Sequence, residues 1–296
     1  MDRFIEFLEK NRRKNITTVT PGGNHGDTLI HMGLIKKLRE LDIKYNSINL
    51  EKEYTAHPII GLKFLINIAL WKLGTSRGFR LIEIPENTDL ILFEGGGYMS
   101  DIWYGPALIQ QISKRNPQPI AIAPQSYLFN KTDPNDFFKD VRDVTLFCRE
   151  RFSLKHLKEL KLSSNIEIEL SQDTALYLEK KDLDKYIKPC DEYYELIAFR
   201  KDRESILTNN TKKKVLRECI NPLEKDISMT KQLEDFVSWV ANAGKVYTDR
   251  LHVAILAKIM DKKTRLYPNK YYKNIGVWEY SLKESISFIN ENISEF

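Results

Sequence analysis

The stretch Asp89-Leu90-Ile91-Leu92-Phe93-Glu94-Gly95-Gly96-Gly97 runs four large apolar residues together and then stops on three glycines. A strand covered on both faces reads as such a continuous apolar run, whereas a half-exposed strand alternates. Three successive glycines are costly in chain entropy unless the backbone needs unusual torsions or a close approach. The stretch therefore predicts a buried parallel strand that ends in a site-forming loop. The pattern recurs downstream in Pro119–Pro124 (PIAIAP), which ends on Gln125 and Ser126, and in Val144–Cys148 (VTLFC), which is followed by helical spacing from Ser153 to Leu160.

Upstream, Asn15–Thr20 is β-branched and reads as a strand. PGGNHGD breaks it, and apolar residues at 30, 34, 35, 38 and 41 then predict a helix over Thr28–Leu41. A second set follows. Glu195–Phe199 (ELIAF), Lys245–Thr248 and Arg265–Tyr267 read as strands, with helices over Gln232–Ala243 and Arg250–Met260. Between the sets, Asp182–Tyr194 is charged, carries Pro189 and reads as a connection. Alternation of this kind predicts an α/β protein with parallel sheets covered by helices. We expect two Rossmann-like α/β domains, 1–180 and 190–296, facing a cleft, with ligands bound where strand C-termini gather.

Composition narrows the class. The 296 residues carry 46 Lys+Arg and 41 Asp+Glu, a net charge of +5, with 42% hydrophobic residues. That balance suits a globular chain with an anionic ligand and is too mild for a dedicated nucleic-acid binder. Cys148, Cys190 and Cys219 are scattered, giving neither a disulfide framework nor a metal pair, which predicts a reduced, cytoplasmic compartment. The opening MDRFIEFLEKNRRKN has no continuous apolar segment of the signal-peptide kind. The five histidines show no HExxH spacing and no GxSxG occurs, so neither a metal site nor a nucleophile elbow is expected.

Several segments can carry chemistry. Gly22-Gly23-Asn24-His25-Gly26-Asp27 joins a strand to a helix, where glycines admit a ligand to the backbone and the helix N-terminus favours an anion. A plain tight turn, with Asp27 as helix cap, is the competing account. The segment is neither GxGxxG nor GxxxxGK[ST], so no dinucleotide or nucleoside triphosphate is indicated. Arg200 directly follows ELIAF. In Asp249-Arg250-Leu251-His252, Arg250 and His252 fall at a helix N-terminus, where a cation opposes the helix dipole. An anion bound between them explains that placement; a salt bridge for Arg250 and an interior position for His252 are the structural alternatives. We expect Arg200 and Arg250 to face each other across the cleft.

GGNHGD at 22–27, FEGGGYMSD at 93–101, APQS at 123–126, CRERFS at 148–153, QDTA at 172–175, IAFRKD at 197–202 and YTDRLH at 247–252 occur in this order, and together they resemble the polysaccharide pyruvyl transferase family. The resemblance implies a two-domain fold like the B-type glycosyltransferases. It also implies transfer of pyruvate from phosphoenolpyruvate to two hydroxyls of a sugar as a cyclic ketal. By position it puts Arg250, Leu251 and His252 at the phosphoenolpyruvate site with Arg200 as a second cation, the donor side being the second domain. Val253 stands where family members commonly have a small residue. His252 would act as acid or stabilise the leaving phosphate, and Asp27 or Glu94 would take a hydroxyl proton. Gly23, Asn24 and Gly26, and Gly95, Gly96 and Gly97, would form the glycine-rich loops of the acceptor side. No cofactor is needed beyond the donor substrate. A nucleotide-sugar glycosyltransferase of similar fold and a non-catalytic saccharide-binding member are the alternative readings.

Pro58–Gly74 (PIIGLKFLINIALWKLG) is the most apolar stretch. Lys63 and Asn67 interrupt it short of the roughly 20 residues that span a bilayer. One expectation is a helix buried on most faces, with Phe64, Leu65, Ile68 and Trp71 filling the first core. The other is a peripheral membrane-surface helix, because Lys72, Arg77 and Arg80 follow; a lipid-linked acceptor at the inner face of the membrane fits that second expectation.

Overall fold

The computed structural model describes residues 2–75, 77–202 and 204–289. Residues 290–296, the end of the expected second domain, lie outside the described set. The described strands are β1 (Ile16–Thr20), β2 (Tyr45–Asn49), β3 (Leu90–Phe93), β4 (Ile120–Gln125), β5 (Val144–Cys148), β6 (Ile166–Leu170), β7 (Glu195–Ala198), β8 (Pro222–Glu224), β9 (Lys245–Thr248), β10 (Lys263–Leu266) and β11 (Ser287–Phe288). They form a six-stranded sheet in the order β2-β1-β3-β4-β5-β6 and a five-stranded sheet in the order β11-β10-β9-β7-β8. Every pairing in both sheets is parallel. The α/β class with two Rossmann-like units is thus observed.

The chain divides into two compact units, Met1–Gly23 with Leu34–Thr174, and Asn24–Gly33 with Ala175–Phe296. The expected first domain, 1–180, includes Asn24–Gly33; that segment's packing groups it with the second unit. Leu29 and Ile30 explain why, since both are buried in the core with Leu196, Phe236, Val246 and Ala254. The first unit's core gathers Ile91, Phe93, Ile120, Ile122 and Leu146 from the central strands with Leu108 and Ile112 from the helix Gly105–Ser113.

Strand order fixes where ligands can approach. In an open parallel sheet the crevice lies at the C-terminal edge, where adjacent strands connect in opposite directions. In the first sheet that point lies between β1 and β3. In the second it lies between β7 and β9, whose last paired residues are Ala198 and Thr248. Arg200 and Arg250 each follow this pair by two residues.

Two expectations are corrected here. The helix after β1 runs His25–Glu40 and so begins three residues before Thr28. Its cap is Asn24, whose Oδ1 accepts from the Gly26 N–H at 2.8 Å, while the Asn24 N–H donates to Asp27 Oδ2 at 2.9 Å. Asp27 therefore lies inside the helix and closes a reciprocal cap. The second correction concerns the helix Pro58–Lys72, which is not buried on most faces. Phe64 and Asn67 are buried and Ile68 packs on the core, but Leu65 is 64% exposed and Trp71 only half-buried.

Candidate functional site

Each unit carries a polar constellation at its switch point. In the first, Thr20 ends β1 and donates its hydroxyl to Glu94 Oε1 at 2.6 Å, just past β3. Glu94 is buried. Its backbone carbonyl accepts from the Tyr98 hydroxyl at 2.6 Å. The glycines after it serve the sheet directly: a Cβ on Gly95 would stand 2.2 Å from the Pro124 carbonyl oxygen, and Gly96 has φ +134°. The Ser126 N–H then donates to the Gly96 carbonyl at 3.1 Å, so pairing with β4 continues through the loop. Gly95 is explained by this close approach and Gly96 by its positive φ. Gly97 is half-buried, and Gly23 is exposed.

In the second unit, Arg200 and Arg250 meet on one carboxylate. Arg200 Nε donates to Asp202 Oδ1 at 2.8 Å, and Arg250 Nη2 lies 3.4 Å from Asp202 Oδ2. Both arginines belong to this unit, so they converge side by side, and the expected placement on opposite walls of a cleft is corrected. Arg250 is gripped further by Asp226, through Nε at 2.7 Å and Nη2 at 2.6 Å. Arg200 Nη1 also reaches Glu204, which receives Lys273 Nζ at 2.6 Å. Both guanidiniums are more than nine-tenths buried. The salt-bridge account of Arg250 thus holds, with Asp226 and Asp202 as partners; Asp249 bonds elsewhere, accepting the Arg200 N–H at 2.8 Å and the Ser205 hydroxyl at 3.2 Å.

Charge and burial divide these carboxylates. Burial alone would raise Asp202 and Asp226, but hydrogen bonds and charge from Arg200 and Arg250 outweigh it and hold both below the usual carboxylate range. Burial also pulls Arg200 down, and Asp202, Glu204 and Asp249 more than reverse it. At Asp249 burial wins, and its carboxyl is pushed up to about 6 despite the bonds from Arg200 and Ser205. Because the folded state then binds this proton more tightly than the unfolded chain, stability from Asp249 is full below the ordinary Asp range and is lost as pH rises through about 6. Relative to wild type, Asp249→Asn should therefore gain on the order of 2 to 3 kcal/mol between pH 4 and pH 7. Thermal melts of the two proteins across that range measure it; parallel curves would show that burial leaves the Asp249 carboxyl at its unfolded-chain value.

Arg250 caps the helix Leu251–Ile259, so His252 lies in its first turn, as the sequence placed it. The imidazole is half-buried and lies against the start of the His25–Glu40 helix: a Cβ on Gly26 would stand 2.6 Å from His252 Nδ1. Only glycine lets that turn approach the ring. The helix-capping pair Asn24 and Asp27 flanks Gly26, so the NHGD part of GGNHGD and DRLH meet within this unit. Leu251 is buried in the core, and what it can offer a ligand is its main chain. Val253 is likewise core.

Sequence reasoning missed the carboxylates that hold the arginines. Asp202 lies in the quoted IAFRKD segment, but nothing marks Asp226, in the loop after a three-residue edge strand. It also left Arg149 and Asp173 without roles. Arg149 Nη1 lies 2.7 Å from Asp173 Oδ2 with side chains 1% and 0% exposed, and Arg149 Nε donates to Ser126 at 2.9 Å. Beside them Glu150 bonds Ser153, and burial pushes its carboxyl up to about 7.

A family model described as Polysaccharide pyruvyl transferase matches residues 24–271. No curated protein sequence matches the chain. Among solved structures, a protein of uncharacterized function from Klebsiella pneumoniae subsp. pneumoniae NTUH-K2044 is 23% identical, with 98% of each chain covered and a TM-score of 0.65. A UDP-GlcNAc 2-epimerase from Methanocaldococcus jannaschii is 11% identical over 93% of this chain and 88% of its own, with a TM-score of 0.48. One from Neisseria meningitidis is 11% identical over 85% and 82%, with a TM-score of 0.42.

Proposed function

This chain belongs to the polysaccharide pyruvyl transferase family, and from that membership we propose that it moves pyruvate from phosphoenolpyruvate onto two hydroxyls of a saccharide, forming a cyclic ketal. The observation that carries the reading is the pair of buried guanidiniums at the second sheet's switch point, with His252 in the first turn of the helix that follows Arg250. Phosphoenolpyruvate presents a carboxylate and a phosphate, and planar guanidinium forks bind both. Asp202 and Asp226 orient these forks: a guanidinium has five N–H donors, and one bidentate carboxylate uses two.

The atoms balance without a further reactant. A proton on the enol methylene makes it the methyl group and leaves a cationic carbon beside the carboxylate. One sugar hydroxyl attacks that carbon, the carbon–oxygen bond to phosphate breaks, and the second hydroxyl closes the ring. Of the two hydroxyl protons released, one replaces the proton consumed and the other leaves on phosphate. We assign His252 to protonation of the donor or of departing phosphate, and Asp27 or Glu94 to the hydroxyl proton. The acceptor is a saccharide with two free hydroxyls; a lipid-linked saccharide is one acceptor this reading admits.

The test is phosphoenolpyruvate-dependent release of inorganic phosphate, with acid-labile pyruvate recovered on the saccharide. Binding of UDP in place of phosphoenolpyruvate would point to nucleotide-sugar transfer, and binding of saccharide alone to a non-catalytic member. Arg250→Ala should weaken phosphoenolpyruvate binding by about 1.5–3 kcal/mol, roughly 10- to 150-fold. Because that change also strips Asp226 of its partner, Arg250→Ala with Asp226→Asn is the control for folding. An unchanged dissociation constant in the folded double variant would remove Arg250 from the donor site.

A further inference from the structure

The helix Pro58–Lys72 divides its apolar residues between two faces. Inward go Phe64 and Ile68, with Asn67 between them. Outward go Ile59, Leu62 and Leu65, at 69%, 59% and 64% exposure, with Ile66 and, at the C-cap, Leu73 at 81%. At 3.6 residues per turn these five side chains fall within an arc of about 120°. Lys63 and Lys72 fall on its two borders.

The buried Asn67 extends the patch. It accepts from the Phe79 N–H at 2.7 Å and donates to the Phe79 carbonyl at 2.9 Å. Arg115 Nη2 holds the Gly78 carbonyl at 2.7 Å. The strap 77–80 is therefore fixed beside the helix, and it presents exposed Arg77, Phe79 and Arg80. Arg80 is bridged to Glu83 at 2.9 Å. Residues 58–80 hold Lys63, Lys72, Arg77 and Arg80 and no acidic residue.

We propose that this face is a peripheral docking surface for an anionic lipid bilayer, with the apolar row entering the acyl boundary and Lys63, Lys72 and Arg77 meeting the headgroups. An apolar arc bordered by cations is the arrangement of a helix lying in a membrane interface. The helix is about 22 Å long, short of the roughly 30 Å hydrocarbon core, and among the described residues no helix is long and apolar enough to cross a membrane. Charge disfavours a second copy as the occupant. A two-fold contact of this face with itself would add no ion pair, because residues 58–80 hold four cations and no carboxylate.

Flotation of the full chain with vesicles tests this, and it uses neither phosphoenolpyruvate nor saccharide, so its outcome is independent of the transferase reading. Wild type should float with mixed phosphatidylcholine–phosphatidylglycerol vesicles at low salt and poorly with phosphatidylcholine alone. Leu62→Gln with Leu65→Gln, both exposed and so tolerated by the fold, should weaken partition on the order of a hundredfold. Lys72→Gln with Arg77→Gln should weaken it by about tenfold or more and flatten its salt dependence. Absence of wild-type flotation, or leucine variants that float as well as wild type, would overturn the proposal. So would a dimer in sedimentation that the leucine changes dissociate while vesicles bind neither protein.

Discussion

His252→Ala is expected to fold, to bind phosphoenolpyruvate within a few-fold of wild type, and to turn over slower by a factor on the order of 10²–10⁴, the range for a lost general acid. Folding should survive because the ring is half-buried and its removal opens space against Gly26 without creating a clash. Binding should survive because Arg200 and Arg250 keep their own carboxylate partners, Asp202 and Asp226, when the imidazole is gone. The interior account of His252 predicts the reverse, lowered thermal stability with turnover intact. His252→Gln sharpens the contrast: an amide can fill the space and donate a hydrogen bond, but cannot deliver a proton. Recovery of stability without recovery of turnover places the role in the chemistry. Full activity in the glutamine variant would reduce His252 to packing.

How far the fold was legible depends on where each strand sits. The central strands announce themselves: LILF, IAIAPQ and VTLFC lie between neighbours and under helices, so nearly all their residues are apolar or small. The strands that sequence reading passed over are β2, β6, β8 and β11, and each is the edge of a sheet. An edge strand is covered less and tolerates polar residues. β2 reads YNSIN with no fully buried residue, and β8 reads PLE with two exposed. β6, IEIEL, did carry a signal, since its strict alternation is that of a half-covered strand. The helix His25–Glu40 was entered late because its first turn contains two polar residues and a glycine, and that glycine is there for His252.

The candidate site was legible in its cations and illegible in its anions. Arg200 and Arg250 stand out because each lies just past the end of a strand. What holds them is assembled from Asp202, Glu204, Asp226 and Lys273, which are brought together by two separate loops and the start of a late helix. No spacing in the chain encodes that meeting; strand order does, by seating β7 against both β8 and β9. The same topology explains why the glycines after β3 misled in part. They lie at the C-terminal edge of the sheet, yet the Pro124 carbonyl already requires Gly95 there.

Arg149 is a cation at the same kind of edge whose near-complete burial assigns it to structure. It follows β5 just as Arg200 follows β7, and CRERFS marks it as clearly as IAFRKD marks the other. With 1% exposure, however, it meets only protein: Asp173 at 2.7 Å and the Ser126 hydroxyl at 2.9 Å. Replacing it with Met should therefore cost about 3–5 kcal/mol of stability, because the Asp173 carboxylate stays buried without its counter-charge. Arg149→Met combined with Asp173→Leu should recover most of that loss, since a buried ion pair exchanged for apolar side chains of similar volume is often neutral. Denaturant unfolding of the two variants, followed by a probe in the first unit, measures both numbers. Phosphoenolpyruvate affinity in the double variant should match wild type, because Arg149 is 1% exposed and paired with Asp173. A single variant as stable as wild type but unable to bind phosphoenolpyruvate would reverse the assignment and move the donor site to the first unit.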